Sequence, residues 1–458
     1  ESVKNTAMGE CLAWKAMAYF YLVRIFGDVP IVHNNSDEIA AGNYNDKYKV
    51  KAADVYDYIV MTLEKAIELL PTKNDAGRID KWGAEGLLAK VYLAKSGINC
   101  NGNGQRDADD LAKAAEYAKD VIDNSGKKLM ENYEDIFKGE NNNCEESLIG
   151  WRWTADQLNY TCGNCLTSEL APSGFCEYQS WGDWTAPSVD LEEAFGVSPL
   201  QKPDARPSTD TRRHATMMMA GDTYSQWWQD KGGFDYIKFL YDKKYAPGSN
   251  DGLQSGTGAN IAKHLYGDDA DHVKTFGRSA GKQSSDLSTH VLRLADVYLI
   301  YAEAKIGNAE STTDASAIDA YFKVWHRARP TLFDKPSSIT LDEVLKERRL
   351  ELALEGDYWF DLVRMSYYNV DKAMNIIKNQ KRNAYNGLGD LYKAYYNKGN
   401  GNGPWDVDAS KMFYDTSTPK PNVTASIFTL PFPQGDVVYN PHLMEEAQHV
   451  DVRETFSY

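Results

Sequence analysis

Between residues 150 and 288 the chain loses the helical rhythm that governs both of its ends, and this interruption limits its possible folds more than any other feature. The opening stretch, 7–26, places Leu12, Ala16, Tyr19, Phe20, Val23 and Phe26 at spacings of three, four and seven. That is the apolar stripe of a helix, and Gly27-Asp28-Val29-Pro30 ends it. The same periodicity predicts helices near 52–70, 79–96 and 108–124, divided by Pro71 and by a Gly/Asn-rich stretch over 97–104. It returns near 289–306, 314–328 and 340–365. Successive helices joined by short turns are the pattern of tetratricopeptide-type pairs. The fold class expected is mainly α: one domain whose helical scaffold is built from 1–149 and 289–458, the latter ending in a closing segment. The loop-rich insertion over 150–288 is where binding residues are usually carried.

Charge narrows the partners. Lys and Arg number 50 against 66 Asp and Glu, a formal net charge of -16, which repels phosphate backbones and leaves no basic stripe for nucleic acid. No apolar run approaches the roughly 18 residues that a membrane-spanning helix needs.

Signals for catalysis or cofactors are weak. No HExxH pair occurs, and the GxSxG string from Gly277 to Gly281 falls in a Gly-rich segment with no strand pattern ahead of it, so neither a zinc-hydrolase nor a serine-hydrolase centre is expected. The segment Gly277 to Gln283 is one residue short of a phosphate loop and has Gln283 where a magnesium-binding hydroxyl belongs; it reads as a turn. Asn99, Asn101, Asn103, Gly104, Gln105, Asp107 and Asp110 fall in calcium-loop register with few charges, and a plain inter-helix turn is favoured. Asp296 and Glu303, two turns apart on an apolar helix, suit helix packing better than acid–base work. Cys144, Cys162, Cys165 and Cys176 leave zinc, local disulfides and free thiols open, whereas Cys11 reads as a small buried hydrophobe. The expectation is no catalytic residue, no metal and no cofactor.

The tryptophans carry the positive signal. Trp14, Trp82, Trp325 and Trp359 sit in helical patterns and are expected in the core. Trp151, Trp153, Trp181, Trp184, Trp227 and Trp228 lie instead among Gly, Ser, Asp and Asn. A sugar ring has an apolar C–H face and a rim of hydroxyls, so it can lie on an indole while polar groups bond its edge. These six, with Asp183 between Trp181 and Trp184, are the expected ligand-binding residues. The competing reading is that the indoles plug the core beneath long loops.

Five segments resemble one known family. Leu22-Val23-Arg24-Ile25-Phe26-Gly27-Asp28-Val29-Pro30 is similar to the helix and FGDVP turn of RagB/SusD proteins, and Lys81 to Leu93 to their second helical signature. Leu292 to Ala304 (LRLADVYLIYAEA) and Glu347 to Gly356 (ERRLELALEG), with Asp361-Leu362-Val363-Arg364, resemble two more. Leu430-Pro431-Phe432-Pro433 and Asn440-Pro441 resemble the closing segment. The resemblance implies a non-catalytic surface lipoprotein of the outer membrane, anchored through sequence ahead of residue 1. Such a protein captures oligo- or polysaccharide and passes it to a SusC-like TonB-dependent transporter. A peptide-capturing RagB-like protein, an intracellular tetratricopeptide adaptor and a glycosidase are the alternatives.

Overall fold

The computed structural model describes every residue except 1, 43–44, 99, 101–103, 156–162, 177–179, 282 and 398–400. The Ser2–Phe26 helix packs on Ala52–Leu69, which packs on Lys81–Lys95, and that on Ala108–Asn124. Each start has a local cause. Asp28 accepts the Ala52 backbone N–H at 2.8 Å, so the FGDVP turn holds the entry of the next helix. Asp80 and Asp107 accept from Gly83 and Asp110, each at 2.9 Å, satisfying donors that a helix start leaves orphaned.

The Leu294–Ile306 helix lies against both Lys81–Lys95 and Ala108–Asn124, and beyond it come Ala315–Ala328 and Leu341–Glu351. A helix buried on every side belongs at the centre of a scaffold. Here all but Lys305 are buried. One apolar cluster accordingly runs from Ala16 through Leu148 and Leu292 to Val344, with Val452 from near the C-terminus.

Two expected helices differ. Thr289–Arg293 is a strand, antiparallel to Ser147–Trp151, with His290 opposite Gly150 and Thr289 opposite Trp151. The β-branched Thr289 and Val291 fit a pleated partner better than a helix start. The expected 340–365 helix is two, Leu341–Glu351 and Asp357–Tyr368, because Leu354 (φ 63°) and Gly356 (φ 89°) adopt left-handed backbone between them.

Within 150–288 the described elements are short helices and strands of two to five residues, among them the Met217–Met219/Ala259–Ile261 ladder. Their apolar centre holds Phe175, Tyr224, Trp227, Trp228, Phe234 and Phe239. It is completed by Leu388, Leu391 and Tyr392, so the insertion packs on a helix from the far end of the chain. Among the described residues no helix is long and apolar enough to cross a membrane.

Candidate functional site

Trp181, Gly182, Asp183 and Trp184 form a turn fastened from below. The N–H of Trp181 donates to Ser168 O at 3.0 Å, that of Gly182 to Ala171 O at 2.8 Å, and that of Thr185 back to Gly182 O at 3.1 Å. Asp183 is buried. Its Oδ1 accepts from Ser173 N at 3.1 Å, its Oδ2 faces the Ser173 hydroxyl, and Ser180 Oγ donates to Pro172 O at 2.9 Å alongside. The middle of the turn thus points into the protein and its ends point out: Trp181 is 46% exposed and Trp184 77% exposed. Holding an indole in water forfeits the burial that makes tryptophan worth having in a core, so two of them on a locked turn form a surface suited to an apolar ligand face.

The Asp183 expectation is therefore corrected, since its carboxylate is spent on Ser173 and supports the turn instead of meeting ligand. Trp151 and Trp153 form a second aromatic pair with ring centroids 6.2 Å apart and planes perpendicular; Trp151 is 39% exposed. Trp153 Nε1 donates to Thr289 Oγ1 at 3.0 Å, which ties this pair to the strand ladder.

Trp227 and Trp228 do not join them. Both are buried, stacked among Phe175, Tyr224 and Phe234, and Trp228 Nε1 donates to Phe175 O at 3.0 Å. They belong to the core beneath the loops. The helical tryptophans also divide: Trp82 is buried and Trp325 partly so, but Trp14 and Trp359 are each 38% exposed. Periodicity marks which face of a helix an indole lies on, but not whether a neighbour covers it.

Downstream of the turn, Ala186, Pro187 and Ser188 wall a cavity of about 340 Å³ against Leu354, Tyr358 and Trp359. Assigning Trp359 to the core concealed this wall from sequence reasoning. The other sequence candidates resolve into support. Cys11 is exposed, contrary to expectation, and Cys144 and Cys176 lie in separate apolar clusters; Cys162 lies outside the described residues. Of the calcium-register positions, Asn99, Asn101 and Asn103 lie outside the described residues, while Asp107 caps a helix and Asp110 binds Lys95 at 2.9 Å.

The model of the SusD family matches residues 115–448, and that described as starch-binding associating with outer membrane matches residues 1–93. A SusD-like protein of Bacteroides ovatus is 34% identical over 97% of this chain and 75% of its own length. The chain belongs to the SusD family. The starch-binding protein SusD of Bacteroides thetaiotaomicron is 26% identical, over 84% of this chain and 68% of its own length. A crystal structure with xylogluco-oligosaccharide has a TM-score of 0.78 at 32% identity, covering 100% of this chain and 84% of that one.

The charged residues of the SusD-family segments are structural in this chain. Arg293 donates to Glu351 at 3.0 Å and to Glu355 at 2.7 Å and also pairs with Glu146; Arg348 holds Asp296, which Lys90 reaches at 2.8 Å. Within Glu347 to Glu355 the acids and arginines bind partners on other elements and not one another along the helix, as the spacing alone suggested. Burial would raise the carboxyl of Glu303, but Arg364 and Arg106 overcome it and hold it at about 2; Arg293 and Lys263 do the same for Glu355, also at about 2. Carboxylates so thoroughly paired are poor proton carriers at neutral pH.

Proposed function

We propose that the chain is a non-catalytic glycan-binding protein of the outer-membrane surface, which captures oligo- or polysaccharide on Trp181 and Trp184 with Trp151 and Trp153. The observation that carries this reading is the turn itself: two indoles held in solvent by a backbone anchored at Ser168 and Ala171 and by a buried Asp183. Flat aromatic faces on a locked turn suit the C–H faces of pyranose rings and lose little conformational freedom on binding. Relatives described as starch-binding, and as crystallised with a xylogluco-oligosaccharide, support a sugar over a peptide. In this reading cargo then passes to a SusC-like TonB-dependent transporter, with a lipid anchor holding the protein at the surface.

Calorimetric titration of the purified chain against xyloglucan, starch and laminarin oligosaccharides tests capture. Micromolar to millimolar binding of at least one, with the sugar recovered intact after long incubation, is the expected result. Time-dependent cleavage, or binding to none of them, would overturn it. Delivery is tested by co-purification from native outer membranes: the protein should travel with a TonB-dependent barrel.

A further inference from the structure

A cleft of about 320 Å³ opens where the 73–80 loop faces the strand that ends in Trp151, and its charge runs against that of the chain as a whole. Lys73, Lys127 and Arg152 line it, and among the described residues none of the three makes an ion pair. Lys127 Nζ donates to Ser147 O at 2.8 Å and Arg152 Nη1 to Ala76 O at 2.9 Å, which leaves most of their donors uncommitted. A fourth cation, Arg78, is satisfied by Glu10 at 2.7 Å. Two carboxylates face the same space, Asp75 and Asp80, the latter within the field of Lys127, so three cations stand against two anions. The balance leaves surplus positive charge in a chain of net charge -16.

Two further features mark the cleft as a site. Ser288 is 7% exposed and lines it, and its buried hydroxyl has no hydrogen-bond partner, an unusual state for a buried polar group. Gly77, at φ 84°, lies directly beneath Arg152: a Cβ there would stand 2.1 Å from Arg152 Cδ. The glycine lets the loop pass under this side chain and leaves the guanidinium laid across the cleft.

We propose that this cleft binds the carboxylate of an acidic sugar, a uronate, within the captured glycan. The inference rests on the glycan-binding reading above. A guanidinium fork matches a carboxylate in a plane, and Lys73 and Lys127 add positive charge beside it.

The test compares three probes by calorimetry: trigalacturonate, its methyl ester, and a sulfated neutral trisaccharide. The intact chain should bind the acid at least about tenfold more tightly than the ester, with the advantage shrinking as salt screens the charges. A variant carrying Lys73→Gln and Arg152→Gln should lose that advantage while binding the ester as before. Lys127, which ties down Ser147, is left in place so that the strand stays anchored. Equal affinity for acid and ester, or a preference that survives in the variant, overturns the inference and leaves the glycan reading standing. A preference for the sulfated sugar over the uronate overturns the carboxylate assignment. Failure of the acid, the ester and the neutral oligosaccharides above alike to bind removes the glycan reading and this one together.

Discussion

Gly182 stands so close to Leu170 that a Cβ on it would lie 2.3 Å from the Leu170 carbonyl carbon. Backbone cannot yield as a side-chain tip can, so Gly182→Ala must lift the turn that presents Trp181 and Trp184. Glycan affinity should fall by roughly 1 to 3 kcal/mol, as if an aromatic anchor had been removed. Titration of this variant with the best-binding oligosaccharide checks it, and unchanged affinity would mean that the position of the turn is immaterial.

Trp181→Ala and Trp184→Ala should each weaken glycan binding by roughly 1 to 3 kcal/mol. Stability should stay within about 0.5 kcal/mol for Trp184, which is 77% exposed, and fall further for Trp181, more than half of which is covered. Paired titrations and thermal melts separate the effects. A large fall in melting temperature with unaltered affinity would refute the platform.

Trp228→Ala should do the reverse. This indole is 1% exposed and packed on Phe175, Phe234 and Phe239, so truncation should cost about 3 to 5 kcal/mol of stability. Denaturant unfolding measures the loss.

Arg293→Met should destabilise by about 3 to 5 kcal/mol, because Glu146, Glu351 and Glu355 would keep their buried charges and lose their shared partner. Chemical unfolding at neutral pH is the measurement; a variant as stable as the parent would show that Arg327 and Arg212 suffice to neutralise the cluster.

Acid should weaken the fold in two stages. Burial depresses His264 from its ordinary 6.5 to about 4, so the unfolded chain takes up a proton there first and stability falls as pH drops from about 6.5 towards 4. Glu303 and Glu355, held at about 2, contribute stability that is fully present above about 4.5 and lost as pH falls towards 2. Thermal melts between pH 7 and 2 should show both stages. His264→Asn should reduce the first, to which His272 and His290, also lowered by burial, contribute; asparagine tolerates the left-handed backbone at this position (φ 70°).

The first helix was legible because its apolar residues repeat at fixed spacings, and Leu12 to Phe26 needs no distant information to be recognised; Leu294–Ile306, apolar on every side, was legible from its length alone. What sequence could not supply was pairing. Thr289–Arg293 becomes a strand only because Ser147–Trp151 lies beside it, and Glu351 finds Arg293, Arg327 and Arg212 on other elements in place of its helical neighbours. The six loop tryptophans looked alike in composition. Trp181 and Trp184 differ from Trp227 and Trp228 by what surrounds them in space, which no local spacing records. The inward carboxylate of Asp183 was hidden for the same reason, its partner Ser173 being set by the path of the loop.

The ladder between Ser147–Trp151 and Thr289–Arg293 brings the two ends of the insertion side by side. The chain thus enters and leaves this region side by side, while Arg212 on Glu351 and Lys263 on Glu355 fasten its base to the helices. Exchange without cost to the fold is therefore confined to the outermost loops, such as the turn that carries Trp181 and Trp184, whereas the residues beneath them are fitted to the helices and must change with them, if at all.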